Sequence, residues 1–393
     1  MEKVVLAFSG GLDTSFCVKY LKDDLGLEVH TVLVDTGGFS DNEIDEIEQK
    51  AINLGAHSHK TIYQTQEYYD SVIRYLVFGN ILKNNTYPLS VSAERICQAM
   101  AIAHYGNELK ADYLAHGSTG AGNDQVRFDL MFSIIAPTIK ILTPIRDLKL
   151  SRQDEIDQLK KWGVEMNWDK AKYSVNKGLW GTSVGGAETL TSHKSLPGEA
   201  FPSQLEKTGT EEITIEFKKG QLHKLNGVEK DPVSLIRELN ELASAYAVGR
   251  GIHVGDTIIG IKGRVGFEAP APLILIKAHE ALEKHTLAKW QIHWKEQMSN
   301  WYGMMLHEGQ YLDPVMRNIE DFLESTQNYV SGKVFVKLEP YTFYVLGIES
   351  DHDLMNSKFG DYGEMNNFWS GEDVKGFTKI IANQTKIFHA ING

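Results

Sequence analysis

Cysteine is scarce in this chain, with Cys17 and Cys97 the only two in 393 residues. Both lie inside helical patterns, without a C-x-x-C or histidine-rich neighbourhood, so neither a disulfide framework nor a zinc site is indicated. They read as reduced core residues. Long apolar runs are lacking as well: none is long enough to span a bilayer, and the N-terminal run is a short strand without the basic-then-apolar pattern of a signal peptide. A cytoplasmic protein with no membrane contact is the expectation. Positive charge is in deficit, 40 basic against 52 acidic residues for a net charge of -12, which argues against a nucleic-acid groove as the main business. A local basic patch stays open. No internal repeat or low-complexity tract stands out. The remaining composition, 42% hydrophobic and 23% charged, is that of an ordinary soluble globular protein long enough for two domains and a substantial core.

What the chain does have is concentrated at its start. Val4-Val5-Leu6-Ala7-Phe8 reads as a buried strand and runs straight into Ser9-Gly10-Gly11-Leu12-Asp13-Thr14-Ser15, after which Phe16 to Leu25 reads as a helix. Gly10 and Gly11 allow backbone angles and close approach that a Cβ would forbid, and Ser9, Thr14 and Ser15 add hydroxyls to the amides of the helix N-terminus. That is a phosphate cradle. A Walker loop is excluded, because no lysine occurs between Lys3 and Lys19, and the G-x-G-x-x-G dinucleotide fingerprint is not met. The remaining pattern, S-G-G-x-D-x-S, resembles the loop of the N-type ATP pyrophosphatases, which hold the β- and γ-phosphates of ATP while the α-phosphate is attacked. The resemblance implies AMP and pyrophosphate as products.

Further along, Val29 to Val34 reads as a second buried strand ending at Asp35-Thr36-Gly37-Gly38, followed by a helix over Asp41 to Leu54. Strand, helix, strand implies a right-handed crossover and a parallel sheet. His57 to Tyr63 extends that sheet, Tyr68 to Leu82 is helical, and Ser92 is expected to cap a helix reaching Leu109. Ala111 to Ala115 and Ile139 to Leu142 supply two more strands, and Ser151 to Asp154 is a capping box for a helix ending at Trp162-Gly163. Such a doubly wound sheet binds ligands beyond the carboxyl ends of its strands. The glycine- and hydroxyl-rich loops after the first, second and fourth strands are expected to converge there.

Past about residue 165 the pattern changes. A Gly/Ser/Thr-rich loop runs from Tyr173 to Pro202, and long ordered loops of this kind are usually functional. Strands are expected at Glu212 to Lys218, before Asn226-Gly227, and at Asp256 to Lys262. Helices are expected over Pro232 to Val248 and from Pro272 beyond His285, and a hairpin around Glu339-Pro340-Tyr341. The organisation expected is α/β: a doubly wound parallel-sheet nucleotide-binding domain (1–165), an α+β domain (166–359), and a C-terminal arm (360–393). The arm carries an amphipathic stretch, Val374 to Phe388, that either docks on another subunit or frays.

A second cluster follows the fourth strand: His116-Gly117-Ser118-Thr119-Gly120-Ala121-Gly122-Asn123-Asp124-Gln125-Val126-Arg127-Phe128. Its hydroxyl, amide, carboxylate and guanidinium suit an amino acid, which needs donors for its carboxylate and an acceptor for its ammonium. Alone, it also reads as an Asx-rich turn with a solvated arginine; its place at the sheet edge beside the phosphate loop favours a ligand role. Two further stretches, Tyr87 to Arg95 and Tyr173 to Ser183, carry Tyr87, Ser92, Ser174 and Ser183. In isolation these read as caps and loop polars.

Taken together, the four stretches resemble the argininosuccinate synthase family in order and spacing from Val4 to about Pro270, with Asn123-Asp-Gln-Val-Arg-Phe128 the most specific piece. In that family the ureido oxygen of citrulline attacks the α-phosphate of ATP, and the aspartate amine then displaces AMP from citrullyl-AMP. By position, the resemblance implies that Ala7, Phe8, Ser9, Gly10, Gly11, Leu12, Asp13, Thr14, Ser15, Val34 and Gly117 hold ATP. Thr119, Asn123 and Asp124 would hold aspartate. Tyr87, Ser92, Asn123, Arg127, Ser174 and Ser183 would hold citrulline. It further implies Mg²⁺ carried on the nucleotide phosphates rather than by protein ligands, a homotetramer with the tail as intersubunit arm, and a synthetase and multimerisation role for the second domain. No Ser-His-Asp or Cys-His nucleophile is present, so no single catalytic side chain is assigned and positioning carries the chemistry.

The chain departs from the family where a lysine usually stands at Ala121 and a proline at Ile96. It also has Gly255 and Phe267 where the family places a glutamate and a tyrosine against citrulline. Loss of a carboxylate near an ammonium removes a charge-assisted bond, roughly 1.5–3 kcal/mol. Either Asp256 compensates, or the α-amine carries an acyl group, as in N-acetyl- or N-succinylcitrulline. Amidotransferase-linked synthetases and tRNA-thiolating enzymes are disfavoured, since they require an ammonia source, or reactive cysteines and a basic surface. A nucleotide-binding protein without chemistry is the remaining rival.

Overall fold

The computed structural model describes residues 1–165, 172–356, 362–363 and 368–393. Strands β1 (Lys3–Ala7), β2 (Glu28–Asp35), β3 (Ser58–Tyr63), β4 (Tyr113–Ala115) and β5 (Lys140–Leu142) form a wholly parallel sheet in the order β3-β2-β1-β4-β5. Val5 pairs with His30 on one side and Leu114 on the other. Val4 and Leu6 enter one core with Phe16, Cys17 and Leu159, while Val5 enters the other with Ile96 and Leu114. This is the alternation of a strand covered by helices on both faces, and it explains why β1 is apolar throughout. Strand order reverses between β1 and β4, so the loops leaving their carboxyl ends open a crevice at that point.

Several local expectations are revised. The first helix begins at Leu12, directly after the glycines, and passes at Tyr20–Asp24 into a wider turn. The helical stretch from Thr65 stops at Phe78, before Gly79. Ser92 is not a cap: the helix Ser90–Leu109 starts one turn earlier, after Leu89 at φ +61°. The Val91 N–H donates to the Tyr87 hydroxyl at 3.2 Å, so a tyrosine satisfies a first-turn amide that a serine was expected to serve. The capping box at Ser151 holds as expected, for a helix Arg152–Lys161.

In the second half, β6 (Ser174–Asn176) and β7 (Thr182–Gly185) emerge from the loop region. They join β11 (Arg250–Asp256) and β12 (Lys262–Glu268) in an antiparallel sheet ordered β11-β12-β7-β6. The stretch expected as a strand, Asp256 to Lys262, is mostly the hairpin turn of this pair. Gly260 takes φ +84°, and Thr257 closes the turn with backbone and hydroxyl bonds to Ile261, both 2.8 Å. Strands β8 (Glu211–Lys218), β9 (Gln221–Leu225), β10 (Val228–Glu229), β13 (Gly332–Glu339) and β14 (Thr342–Glu349) make a further antiparallel sheet, ordered β10-β9-β8-β13-β14.

One hydrophobic core runs from Val5 through Phe78 and Ile274 to Val336, so the nucleotide-type sheet and the second half are packed on each other. A buried polar link crosses the same seam. Lys295 donates to the Phe78 carbonyl at 2.6 Å and pairs with Glu283 at 2.9 Å, while Asn80 donates to Glu283. The expected domain boundaries after 165 and 359 fall at residues 166–171 and 357–361, outside the described residues. The expected amphipathic stretch of the tail forms two helices, Gly371–Ile381 and Asn383–Asn392, neither with a buried residue.

Candidate active site

At the β1 end of the crevice the chain turns on Gly10, at φ +72°, and Gly11 is the helix N-cap with no side-chain cap. The amides of Gly11, Leu12, Asp13 and Thr14 make no hydrogen bond among the described residues, the arrangement of a helix N-terminus open to an anion. Two of the expected hydroxyls are used within the loop: Ser15 donates to the Gly11 carbonyl at 2.7 Å and Thr14 to the same oxygen at 3.3 Å. Ser15 is fully buried. Lys50, which the loop pattern did not reveal, donates to the Gly10 carbonyl from the helix Asp41–Asn53, and burial holds its ammonium below the usual lysine range. Asp13 stands against the buried Glu155, whose carboxyl is pushed up to about 8 by burial and then by the Asp13 charge.

The β4 end is built against this loop. A Cβ on Gly117 would lie 3.3 Å from the Asp13 carbonyl carbon and the Thr14 nitrogen, so only a glycine brings the second backbone this close to the first. His116, almost fully buried, bonds Asp129 through Nε2 at 2.9 Å and accepts from the Ser118 N–H through Nδ1 at 3.2 Å. That pattern fixes the tautomer with its proton on Nε2. Gln125 donates to the carbonyls of Gly120 and Gly122 and pins the turn.

Asp124 is the electrostatic hinge of the site. Its carboxylate accepts from Arg127 Nη1 at 2.8 Å and from Arg95 Nε at 3.3 Å, and these two cations hold it below the usual range despite burial. Arg95 also bonds Glu94 at 2.9 Å and Gln98 at 2.7 Å. Burial pushes Glu94 up to about 7 against the pull of Arg95, and Thr36 donates to its other oxygen at 3.2 Å.

A cleft of about 740 Å³ runs along both ends, with Glu94, Arg95, His116 and Asp124 in its wall. Of the residues expected to hold ATP, Ala7, Phe8, Ser9, Gly11, Leu12, Asp13, Thr14, Val34 and Gly117 face it, as do Thr119, Asp124 and Ser174. Gly10 and Ser15 sit behind the loop surface. Glu94, Arg95, Asn176 and Lys177 also line the cleft and were not singled out from sequence; the only signal for Arg95 was its position three residues after Ser92 on one helix.

The residues expected around citrulline form an adjoining, more side-chain-built region. The Tyr87 ring packs on His253 (5.2 Å between centroids) and Phe267 (5.5 Å), and Ser183 pairs with Phe267 in the sheet and accepts from Asn176 at 3.4 Å. Asn123 accepts from the Ile258 N–H at 2.9 Å, tying the hairpin turn of β11 and β12 to the site. Ser92 is buried, with its hydroxyl on the Leu89 carbonyl. Arg127 is buried too: Nε and Nη2 donate to the His307 carbonyl at 3.0 and 2.8 Å, and Nη1 is on Asp124. Gly255 lies in β11, and Asp256 beside it is paired with Lys262 at 2.6 Å.

Comparison with known proteins gives one family. A model described as the arginosuccinate synthase N-terminal HUP domain matches residues 3–165, and one described as the arginosuccinate synthase C-terminal domain matches residues 173–388. Curated relatives named argininosuccinate synthase include one from Methanocaldococcus jannaschii, 38% identical over 93% of each chain. A second, from Dictyoglomus turgidum, is 37% identical over 98% of this chain and 97% of its own length. A third, from Xanthomonas campestris pv. campestris, is 35% identical over 100% of this chain and 99% of its own.

Proposed function

The chain belongs to the argininosuccinate synthase family, and from that premise we infer that its cleft carries out the family's reaction, a carbon-nitrogen ligation in arginine biosynthesis. ATP activates the ureido oxygen of citrulline as citrullyl-AMP with release of pyrophosphate, and the amine of aspartate displaces AMP to give argininosuccinate. The observation that carries the reading is the contact of Gly117 with the Asp13–Thr14 backbone at the point where strand order reverses. It sets an open helix N-terminus and the Asp124 cluster on one cleft.

In this reading the amides of Gly11 to Thr14 receive the triphosphate, with Ala7, Phe8, Ser9, Val34 and Gly117 around the nucleoside. Thr119, Asn123 and Asp124 hold aspartate, Asp124 being kept ionised by Arg95 and Arg127 and so suited to an ammonium. Tyr87, Ser92, Asn123, Arg127, Ser174 and Ser183 surround citrulline. Mg²⁺ would ride on the nucleotide's own phosphates, as hard cations of this kind keep water and use few protein ligands. The chain's own contribution is to exclude water, align the reactants and hold charge in place.

An acylated citrulline and a protein without chemistry are not favoured by the names of the relatives. A cytoplasmic setting fits the reading; no described helix is long and apolar enough to cross a membrane. The domains follow the expected divisions at 165/166 and 359/360, and the tail serves as an arm in a homotetramer. Phe377 and Ile380, 65% and 72% exposed on the first tail helix, support that docking. Truncation before Gly371 is expected to leave the thermal midpoint of the body unchanged and to lower the mass measured by light scattering; an unchanged mass removes the arm.

The deciding experiment is pyrophosphate release from ATP, Mg²⁺, citrulline and aspartate. Release dependent on both amino acids, with AMP and argininosuccinate formed in equal amounts, is expected. ATP binding without pyrophosphate would return the protein to the non-catalytic class.

A further inference from the structure

The region around Tyr87 holds a cation that the aspartate and phosphate assignments leave unused. Lys83 and Tyr87 form a short bridge, with the Lys83 N–H on the Tyr87 carbonyl at 2.8 Å, so the lysine is fixed in backbone beside the tyrosine that packs on His253. Asn84 donates to the Val254 carbonyl at 3.3 Å and fastens the same turn to β11. The lysine is half-buried, and no carboxylate among the described residues lies within ion-pair distance of its ammonium. Asp256 is already paired with Lys262.

Arg127, the cation expected to meet the ureido substrate, is committed elsewhere. Its guanidinium is divided between the His307 carbonyl and Asp124, which leaves no pair of parallel N–H groups for a bidentate grip on a carboxylate. The histidines nearby do not change the charge balance. Burial, then the charges of Arg127 and Lys83, drive His307 down to about 2, and burial with the Lys83 charge lowers His253, so both are neutral near pH 7. Lys83 is therefore a cation of this region with no carboxylate at contact distance among the described residues: Glu308 and Asp256 act on it only from farther off, and burial holds its ammonium below the usual lysine range.

Gly255 explains where His253 sits. A Cβ on Gly255 would lie 2.5 Å from His253 Nε2, and one on Gly251 would lie 2.5 Å from the Phe267 ring. Of the two glycines flanking His253 on one strand face, Gly255 makes room for the imidazole, where a longer residue would stand, and Gly251 makes room for the Phe267 ring. His253 is 6% exposed, and its ring nitrogens have no hydrogen-bond partner among the described residues. A neutral imidazole there has an N–H to donate.

We propose that Lys83, assisted by His253, binds a carboxylate of the ureido substrate. The proposal rests on the ligase reading above. The carboxylate has two possible sources, the α-carboxylate of citrulline or one carried by an acyl group on its α-nitrogen. Both meet Lys83 by the same chemistry.

The test compares wild type, Lys83→Met and Lys83→Arg by pyrophosphate release with citrulline, N-acetylcitrulline and N-succinylcitrulline, at saturating ATP and aspartate. Lys83→Met is expected to raise the KM for the accepted ureido substrate about tenfold to a hundredfold, with kcat and the KM values for ATP and aspartate changed by less than about threefold. Lys83→Arg should restore most of the loss. A rise shared by citrulline and N-acetylcitrulline identifies the α-carboxylate, and a rise confined to N-succinylcitrulline identifies the acyl carboxylate. An unchanged ureido KM, or an equal rise for ATP, overturns the proposal while leaving the ligase reading intact. Absence of pyrophosphate from wild type with all three substrates removes both.

Calorimetry on wild type needs no variant. Citrulline should bind at least about tenfold more tightly than its α-carboxamide, or N-succinylcitrulline more tightly than N-acetylcitrulline. Equal affinities within both pairs overturn the proposal.

Discussion

The two ends of the cleft are made of different material. At the glycine-loop end the cleft is faced by backbone amides without partners among the described residues, placed by Gly10, Gly11 and Gly117, and the Thr14 and Ser15 hydroxyls are turned onto the Gly11 carbonyl. The Tyr87 and Asp124 end is built from side chains of the turn before Ser90, of the helices Ser90–Leu109 and Asp124–Ile135 and of β11 and β12, with the His307 carbonyl holding Arg127. A backbone site depends on conformation and tolerates loss of side chains. A side-chain site depends on each partner, because removing one leaves another buried and unpaired.

The sharpest test of this contrast is Asp124→Asn. The carboxylate compensates two guanidinium groups at once, so its loss strands Arg95 and Arg127 and removes the acceptor proposed for the aspartate ammonium. A fall in kcat/KM for aspartate of at least about a hundredfold is expected, larger than for any single side chain of the phosphate loop. Steady-state kinetics with aspartate varied would measure it; a fall under about threefold would mean the cluster is structural only.

Next in size is Gly117→Ala, which tests the opposite end by adding an atom. The new Cβ would press at 3.3 Å on the Asp13–Thr14 backbone, which cannot swing away as a flexible side chain could. Separating the two loops should raise the KM for ATP by about tenfold with little effect on the KM for aspartate. Equal rises for both substrates would erase the distinction between the two ends.

A smaller effect concerns the buried carboxyl behind the loop end. Glu155 has a carboxyl raised from 4.5 to about 8, by burial and then by Asp13, and its Oε2 has no hydrogen-bond partner among the described residues. A carboxyl raised on folding keeps its proton in the native state. Its contribution to stability is full below about pH 4.5 and is lost as pH rises through about 8. Glu155→Gln, neutral at every pH, should therefore flatten the decline of stability between about pH 5 and pH 8. Denaturant midpoints at intervals across that range would show it, and parallel curves for the two proteins would assign the decline to other groups.

The same contrast explains what was legible in the sequence. Ser9-Gly10-Gly11 between an apolar run and a helix carries its own geometry, so the open turn at the helix N-terminus, the parallel sheet and the meeting of the β1 and β4 loops are legible from local pattern. Lys83, His253 and His307 lie far apart in sequence and meet only through packing. No local pattern reports that Arg127 is used up on the His307 carbonyl. Asp256 to Lys262 has the composition of a strand but is mostly the turn between β11 and β12, and the alternation that sets Gly251, His253 and Gly255 on one face belongs to β11 before it. Ser92 was misread for a related reason, because the tyrosine hydroxyl that serves the Val91 amide belongs to the turn before the helix rather than to a standard capping position.

The smallest predicted effects make the backbone argument most directly. Thr14→Val and Ser15→Ala each delete a hydroxyl that the motif suggests for phosphate but that is bonded to the Gly11 carbonyl. If the amides do the binding, each variant should change the KM for ATP by less than about threefold. Ser15→Ala should cost only about 0.5–1.5 kcal/mol of stability, the net worth of one internal hydrogen bond. The expected outcome is thus a near-silent pair of substitutions inside the most conspicuous motif of the chain, read by ATP-dependent pyrophosphate release and by denaturant unfolding. A tenfold loss of ATP affinity in either variant would show that a hydroxyl turns outward to the phosphates when nucleotide arrives, and the loop end would then be a side-chain site like the other.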